Sequence, residues 1–558
     1  METNVAEAKV SPNELLKAGC PTLAGTLAQT LADEQADHFS EEDAQFLKFH
    51  GCYQQDDRDV RKQGKKFIMM VRVRMPGGVL KPAQYVAMDR LASEYGNDTL
   101  RVTSRQGIQF HGVLKSGLAR TIRGINEALL TTLAACGDVV RNVVTPPPVL
   151  HGLAGQQVLA DARLLSQSLL PQTPAYHEIW LNGERLKLES EVAGDFVDPL
   201  YGKTYLPRKF KISFAIPPVN DVDIFAQCLG FIAIQEDGQV AGYNVVAGGG
   251  MGRSHGNQQT FPRLGDLIGY IPRGAVEAAA RAVVGIHRDY GDRANRKHAR
   301  LKYVLADRGV DWFRAELEQR LGFKLEAARP FVFTRQGDWY GWRQLADGTW
   351  VLGMFIETGR IRDTESRRLK TALRRVVEEL GLEVHLTPAN NLLLVGIQEG
   401  QRAEVTRILA EHGADPGRAV SAVRGASMAC VALPTCGLAL AEAERYLPNL
   451  MTEIEQALQE TGLGGEEIII RMTGCPNGCA RPYMAEIALV GKAPGRYQLF
   501  VGGNAAGTRL NRVYKETVKE GEIIGELRAL FERFRRERVA HERFGDWAAR
   551  VLWLEAAA

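Results

Sequence analysis

The sequence predicts an α+β protein made of two related halves, each with a small α+β unit followed by a larger α/β block. One observation is a repeated spacing, because Thr103 precedes Gly112 by the same nine positions as Thr387 precedes Gly396. Another is length, since 558 residues suggest several domains, about three or four at roughly 150 residues each. Composition agrees, because 45% apolar and 24% charged residues are typical of a globular protein.

The larger blocks carry a repeat of their own. Tyr243 and Tyr497 each stand five residues before a Gly-Gly pair. Breaks at Pro146–Pro148, Pro330 and Pro416 divide the chain into units. The predicted units are an N-terminal arm at 1–61, small units at 62–144 and 331–420, and larger blocks at 145–330 and 421–558. Residues 1–40 are polar and alanine-rich, which predicts a mobile or partner-facing arm.

The first small unit follows from its periodicity. Apolar alternation predicts a strand over Phe67–Met75, and helical spacing predicts a helix over Pro82–Tyr95. Leu100–Gly112 predicts two short strands around a tight turn, and Gly117–Cys136 predicts a second helix.

The second small unit repeats this order. A strand is predicted over Trp350–Ile356 and a helix over Ser366–Leu380. Two strands, Val384–Thr387 and the stretch ending at Gly396, mirror those of the first unit. We therefore infer an ancient duplication of the chain.

Charge and cysteine content exclude several classes of protein. A formal net charge of +3 is too small to indicate nucleic acid or a membrane surface as a partner. No secretory signal and no membrane span are recognisable. Four of the eight cysteines are scattered singly, unlike a secreted disulfide framework. We expect these to be free thiols in a reducing cytoplasm: Cys20, Cys52, Cys136 and Cys228.

The other four cysteines form two short pairs in the last quarter of the chain. Cys430 and Cys436 make the first pair, and Cys475 and Cys479 make the second. Four thiolates can hold the four corners of an iron–sulfur cube. The five residues inside the first pair exceed the usual two to four between zinc-ligand cysteines. Four structural thiols remain the alternative on spacing alone.

Basic residues recur at strand and turn positions. Arg101, Thr103 and Arg105 share one face of a predicted strand, as do Lys209 and Lys211. Such pairs usually form a solvated sheet face. Several of them, together with Arg72 and Arg141, indicate an anion site, because arginine grips carboxylates with two hydrogen bonds and lysine can donate a proton.

The sequence offers no nucleotide-cofactor fingerprint. Gly248–Gly252 lacks the strand, G-x-G-x-x-G and helix order of a dinucleotide site. Electrons are therefore expected from another protein.

The motifs around the cysteines resemble those of a known family, the sulfite and nitrite reductases that contain sirohaem and a 4Fe–4S cluster. The likeness runs from about Phe46 almost to the C-terminus. It is greatest for the haemoprotein subunits of the bacterial NADPH-dependent assimilatory branch. The matching stretches are His50-Gly-Cys-Tyr-Gln-Gln-Asp-Asp-Arg-Asp59, Tyr205-Leu-Pro-Arg-Lys-Phe-Lys211, Ser427-Met-Ala-Cys430, Pro434-Thr-Cys436, Ala441-Glu-Ala-Glu-Arg445 and Thr473-Gly-Cys-Pro-Asn-Gly-Cys479.

The resemblance implies a pseudo-twofold duplicated nitrite/sulfite reductase fold. The small units would be ferredoxin-like half-domains that pair into one domain. The block at 145–330 would be a sirohaem-binding α/β domain that lacks the cluster, and the block at 421–558 would carry the 4Fe–4S cluster beside the sirohaem.

The resemblance also implies roles for single residues. The cluster ligands would be Cys430, Cys436, Cys475 and Cys479, with the thiolate of Cys479 also bridging to the sirohaem iron. The residues that hold the carboxylates of the macrocycle would be Arg101, Thr103, Arg105, Gln109 and His111. The cage over the open face of the iron would be Arg72, Arg141, Lys209 and Lys211.

The implied activity is the six-electron reduction of sulfite to sulfide, feeding cysteine biosynthesis in the cytoplasm. The implied partner is a flavoprotein reductase subunit with FAD and FMN that oxidises NADPH, in a hetero-oligomer, and ferredoxin is the alternative donor. A sirohaem nitrite reductase forming ammonia is the alternative within the family. Its members tend to carry asparagine where this chain has Lys211, which favours sulfite. A non-catalytic iron–sulfur or zinc protein, binding an acidic partner through its basic strands, is the alternative outside the family.

Overall fold

The structure is a computed structural model, and it describes residues 10–173, 179–181, 184–186, 196–417 and 419–555. Its elements are numbered below in chain order. Within the described ranges, no helix combines the length and the apolar character that crossing a membrane requires.

The N-terminal segment is folded onto the first half-domain and the first larger block, so the expectation of a mobile arm is wrong for residues 10–40. Its elements are helices α1 (Pro12–Gly19), α2 (Leu27–Ala32) and α3 (Asp43–Phe49) and strand β1 (Cys52–Asp56). Leu23, Phe39 and Phe46 are buried in the main core, and Cys52 pairs with Val71. The apolar residues are too widely spaced to show a period, but a core built by later segments buries each of them.

The first half-domain follows the predicted order closely. Its elements are β2 (Phe67–Arg72), β3 (Val79–Leu80), α4 (Pro82–Tyr95), β4 (Leu100–Val102), β5 (Ile108–Val113) and α5 (Lys115–Glu127). Helix α4 begins with Pro82, and the Gln84 side chain accepts a hydrogen bond from the Lys81 N–H at 3.0 Å. Helix α5 ends earlier than expected, because the backbone turns at Leu129 with φ +59°.

The first larger block carries a four-stranded sheet. Its elements are α6 (Gly152–Ser168), β6 (Ile179–Leu181), β7 (Glu184–Leu186), β8 (Ile212–Ala215), β9 (Leu229–Glu236), β10 (Gln239–Ala247), β11 (Asp266–Pro272), α7 (Val276–Tyr290), α8 (Leu301–Arg308) and α9 (Val310–Leu321). The sheet order is β11-β10-β9-β8, with β8 and β9 parallel.

The lysine pair lies just before β8 rather than inside a strand. The expected strand is reduced to one bridge, in which Phe210 faces Val140. The alternation nevertheless holds, since Phe210 is fully buried while Lys209 and Lys211 are half-buried. The two lysines therefore lie on the side opposite the core.

The second half-domain repeats the first and exchanges strands with it. Its elements are β12 (Gly341–Gln344), β13 (Trp350–Met354), β14 (Arg360–Ile361), α10 (Leu369–Leu380), β15 (Glu383–Leu386), β16 (Leu392–Ile397) and α11 (Arg402–Glu411). The sheets run β1-β2-β5-β4-β14 and β12-β13-β16-β15-β3. Each half-domain thus lends a two-residue strand to the edge of the other, which pairs them about a pseudo-twofold axis.

The last block repeats the sheet of the first larger block. Its elements are α12 (Ala422–Gly425), β17 (Ser427–Ala429), α13 (Leu447–Glu460), β18 (Ile470–Thr473), β19 (Ile487–Ala493), β20 (Arg496–Val501), β21 (Arg512–Lys519), α14 (Glu520–Glu537) and α15 (Phe544–Glu555). The order β18-β19-β20-β21 mirrors β8-β9-β10-β11, and in both sheets only the first of these pairs is parallel. Strand β17 extends the sheet beside β18.

Candidate active site

The clustered cysteines lie at one edge of the last sheet. Cys430 directly follows β17, and Cys475 lies two residues beyond β18. These strands are parallel neighbours, with Ala429 opposite Met472. Because their carboxyl ends meet at the same edge, both cysteine turns open on the same side of the sheet.

Backbone N–H groups point at the sulfur atoms. Gly474 donates to the Cys430 Sγ at 3.3 Å, and Cys436 and Cys475 also accept backbone hydrogen bonds. Gly474 permits this packing, since a Cβ atom there would lie 2.5 Å from the Ala441 carbonyl oxygen. Such donors stabilise thiolates and tune the potential of a bound cluster.

The four thiols are electrostatic neighbours. Burial and then the charge of Cys479 raise the pKa of Cys475 to about 12 and that of Cys430 well above its ordinary value. Cys436 shows the same causes and direction in its pKa. Four thiolates therefore need a compensating positive charge, which cluster iron supplies.

The chemistry of the donor set fits a cluster. Four cysteine sulfurs meet the need of a four-iron cube for one thiolate at each iron. In the part of the chain that the structure describes, no three His, Cys, Asp or Glu side chains converge on one metal position.

Cys479 differs from the other three because it is exposed. Its carbonyl accepts a hydrogen bond from the Ser104 hydroxyl at 3.3 Å, which ties the cluster turn to the loop between β4 and β5. Its sulfur lies close enough to influence the pKa values of Arg72, Lys209 and Lys211. The structure thus brings this cysteine together with three of the four predicted cage residues.

The fourth cage residue, Arg141, is buried and lies beside Lys209, whose pKa it helps to lower. Its guanidinium donates to the Gly137 carbonyl at 2.8 Å and to the Ala135 carbonyl at 3.4 Å. Arg72 donates to the Cys136 Sγ at 3.1 Å. All of these acceptors are neutral or only weakly acidic, so both positive charges remain available to an anion.

The lysines are held close to deprotonation. Burial, with Arg208 and Arg300 nearby, lowers the pKa of Lys209 to about 7. Burial, with Lys209 and Arg105 nearby, lowers the pKa of Lys211 well below its ordinary value. No carboxylate pairs with either lysine among the residues that the structure describes, and the arrival of a dianion would raise both pKa values.

Arg105 and Gln109 lie with the cage. Arg105 donates to the Gln227 Oε1 and the Ile212 carbonyl, each at 2.8 Å, and its Nε has no partner among the described residues. Burial lowers its pKa to about 9. When its amide oxygen faces Arg72, Gln109 accepts from the Nε at 3.1 Å and from the Nη2 at 2.6 Å. The unsatisfied guanidinium nitrogen and the cationic surroundings suit a carboxylate-rich macrocycle.

Arg101, Thr103 and His111 already have protein partners. Arg101 donates to the Glu444 carboxylate at 3.0 Å and to the Ala429 carbonyl at 2.9 Å. Arg360 donates to the other oxygen of Glu444 at 2.6 Å and lies 3.1 Å from the His111 Nδ1. The Thr103 hydroxyl accepts backbone N–H groups of its own turn. Contact of these three residues with a macrocycle stays a prediction.

Two residues of this region were not predicted from the sequence as part of the site. Arg300 is buried, donates to the Cys228 Sγ at 3.3 Å and helps to lower the pKa of both lysines. It precedes helix α8 without any periodic or motif signal. Glu444 lies in a matching stretch, 441–445, but only the structure shows that it joins the two half-domains to the cluster block.

A second cleft occupies the position related by the duplication. In the first larger block Ile212 pairs with Leu229, and in the last block Ile470 pairs with Ile487. Ile470 is therefore the counterpart of Ile212, which makes Glu467 and Ile469 the counterparts of Lys209 and Lys211. Both line a cavity of about 120 Å³, together with Ala389, the counterpart of Arg105. Arg471 and Arg481 also line this cavity, but buried Asp223 pairs with both. The cationic cage is therefore confined to one of the two related positions.

Family comparison agrees with this architecture. The nitrite and sulphite reductase 4Fe–4S domain matches residues 160–325 and 421–555, and the nitrite/sulfite reductase ferredoxin-like half domain matches residues 60–128 and 343–412. These matches cover more than half of the chain, which therefore belongs to the nitrite and sulfite reductase family. The predicted fold is confirmed, and the family model supports a 4Fe–4S cluster in the protein.

Individual relatives match over nearly their whole length. The chain is 49% identical to a sulfite reductase (NADPH) hemoprotein beta-component of Myxococcus xanthus, over 97% of this chain and 96% of the relative. A protein of the same description from Geobacillus kaustophilus is 46% identical over 99% and 97%. The structure of the Mycobacterium tuberculosis NirA protein superposes with a TM-score of 0.79 at 23% identity, covering 97% of each chain. That likeness supports the fold alone.

Proposed function

We propose that this protein is the haemoprotein component of an assimilatory sulfite reductase, which reduces sulfite to sulfide. The observation that carries the proposal is that the basic side chains of Arg72, Lys209 and Lys211, which have no carboxylate partner among the described residues, lie near the exposed sulfur of Cys479. The relatives at 46–49% identity, whose names specify sulfite, support the same substrate. Lys211 supports it further, because a second lysine suits a dianion better than the singly charged nitrite.

The cofactors in this proposal are sirohaem and a 4Fe–4S cluster. When bound, they supply the electron storage and transfer that a six-electron reduction requires and no side chain can provide. The cluster ligands would be the four clustered cysteines, with Cys479 shared with the sirohaem. Arg105 and Gln109, together with Arg101, Thr103 and His111, would bind the carboxylates of the macrocycle. The units would keep the predicted boundaries at 61, 144, 330 and 420.

The protein's own part is to bind the anion and supply protons. Arg72 and Arg141 hold positive charge at fixed positions, which offsets the loss of water around a dianion. Lys209 and Lys211 take up protons as the dianion binds, because its charge raises their pKa values. Each lysine then stands ready to donate a hydrogen bond and a proton to an oxygen that leaves as water.

The electron donor follows from the names of the relatives. A "beta-component" specified for NADPH supports a second, flavoprotein subunit that oxidises NADPH, in a hetero-oligomer. A cytoplasmic location is part of the proposal, and the four scattered cysteines support it, since none of them forms a disulfide and a reducing compartment would keep them as thiols.

One comparison tests the proposal. Holoprotein is supplied with sulfite or with nitrite under the same artificial electron donor, and sulfide and ammonia are measured. We expect a higher kcat/KM for sulfite. A preference for nitrite would assign the alternative activity, and a lack of turnover with either anion would contradict catalysis. Repeating the sulfite assay with an NADPH-oxidising flavoprotein or with ferredoxin identifies the donor.

A further inference from the structure

A second cationic cavity lies next to the cage, on its side towards the N-terminal segment. It has a volume of about 30 Å³, room for about two water molecules. Charged residues from the N-terminal segment, the first small unit and the first larger block line it. These residues are Lys17, Lys48, Asp138, Arg141, Arg208 and Arg296. The cavity thus gathers five cations around a single lining carboxylate.

Much of this charge is paired. Asp138 accepts from Arg296 at 2.7 Å and lies 3.7 Å from both Lys17 and Arg208. Lys17 also pairs with Glu14 at 2.6 Å. These contacts account for the burial of Lys17 and the anchoring of helix α1.

Lys48 and Arg141 are different. Lys48 donates to the neutral Gln45 Oε1 at 2.5 Å, and Arg141 donates to backbone carbonyls. No carboxylate lies within ion-pair distance of either one among the described residues. Burial, followed by Arg296, lowers the pKa of Lys48 to about 8, so most of its charge persists at neutral pH. Arg141 is buried and Lys48 is half-buried, and leaving such cations without counter-charge is costly.

The cavity adjoins the proposed cage. Arg141 belongs to both, and Arg208 adjoins Lys209 in sequence and helps to lower its pKa. Tyr53 also lines the cavity, and the positive charges of Arg141, Arg72 and Arg208 act on its hydroxyl. A small anion in the cavity would therefore contact one residue that the cage also uses.

We propose that this cavity is an entry subsite for small divalent oxyanions, in which Lys48 and Arg141 hold sulfite before it reaches the cage. The proposal rests on the proposed function, since it assigns a route to the same substrate. Helix α3, which carries Lys48, would thereby contribute to substrate capture, which gives the folded N-terminal segment a chemical role. Lys48 would attract the anion into the cavity, and the residues of the cage would contact it during the reaction.

The test is the variant Lys48→Gln in holoprotein, with Lys297→Gln as the matched control. Lys297 is exposed and adjoins Arg296 in sequence, so its replacement removes the same charge outside the cavity. We expect the KM for sulfite to rise about tenfold in Lys48→Gln, since one unit charge beside a dianion is lost. The kcat of both variants should stay within about twofold of the wild-type value. The rise of KM with salt concentration should be shallower than in wild type in Lys48→Gln, and unchanged in Lys297→Gln.

Ligand binding gives a readout that is independent of turnover. Binding of sulfite, an anion, to the oxidised protein without an electron donor and of carbon monoxide, a neutral molecule, to the reduced protein is followed by absorption of the haem. Lys48→Gln should slow sulfite binding and leave carbon monoxide binding unchanged. Lys48→Arg should restore the low KM, which also controls for a folding defect in the glutamine variant.

The outcomes separate this proposal from the one on which it rests. Wild-type turnover of sulfite with an unchanged KM in Lys48→Gln overturns the subsite but leaves the function intact. Equal slowing of sulfite and carbon monoxide binding also overturns it, because it would indicate a steric change. A wild-type protein without sulfite turnover overturns the proposed function itself.

Discussion

Replacing Lys211 by alanine tests the chemistry of the cage most sharply. Its side chain lies among Lys209, Arg105 and Arg300, and no carboxylate pairs with it among the described residues, so it can take up a proton when the dianion binds. Loss of one preorganised donor to a developing charge costs about 100- to 1000-fold in kcat, or about 3–4 kcal/mol. We expect a loss of that size in sulfite turnover, while the cofactors remain bound because the cluster ligands lie in another block.

The assay is steady-state sulfide release under a fixed artificial donor, with sirohaem and cluster content measured from the absorption spectrum. Lys203→Ala is the control, because Lys203 is exposed and lies eight residues before Lys211 in the same segment. Unchanged kcat in Lys211→Ala, at full cofactor content, would refute the role of this lysine in the reaction. Loss of the sirohaem would instead make it a cofactor-binding residue.

Three further predictions concern the surrounding network. Glu444→Gln removes a buried carboxylate that two arginines share and should lower the free energy of unfolding by about 3–5 kcal/mol, measured by thermal or denaturant unfolding. The more exposed Glu442→Gln should change it by less than about 1 kcal/mol, and equal effects would contradict the argument. Cys479→Ser should uncouple the haem from the cluster or prevent assembly, so normal spectra with normal activity would disprove the bridge. Because the pKa of Lys209 is about 7, its protonated fraction decreases above that pH, and kcat/KM should decrease with it. Lys209→Arg does not titrate in this range and controls for protonation of sulfite itself, so identical pH profiles would exclude Lys209.

The sequence revealed those parts of the fold that repeat locally. Helix α4 has the predicted bounds, since the apolar period is strong and Pro82 and Gln84 define its start. The duplication was recognisable because glycine turns keep their spacing in both halves. The strand exchange was not, since β3 and β14 are two residues long and owe their pairing to the other half-domain. The N-terminal segment was misjudged for the same reason: its apolar residues are buried by distant segments.

The candidate site divides in a similar way. Cysteine spacing and alternating basic residues pointed to the cluster and the cage, because those patterns are local. No local pattern distinguishes Arg300, Glu444 and Lys48 from surface charges. Arg300 and Glu444 contact partners more than seventy residues away, and Lys48 lies in a stretch without apolar periodicity. The absence of cations at the counterpart positions, Glu467 and Ile469, became meaningful only when the sheet registers aligned the two halves.

The most direct measurement is the yield of sulfide per electron in purified holoprotein. Sulfite is supplied with a counted quantity of reduced donor, and the absorption spectrum of the protein is recorded in the same sample. The account predicts a sirohaem spectrum and one sulfide for every six electrons consumed. A protein without a haem-type pigment, or one that consumes electrons without releasing sulfide, would contradict it.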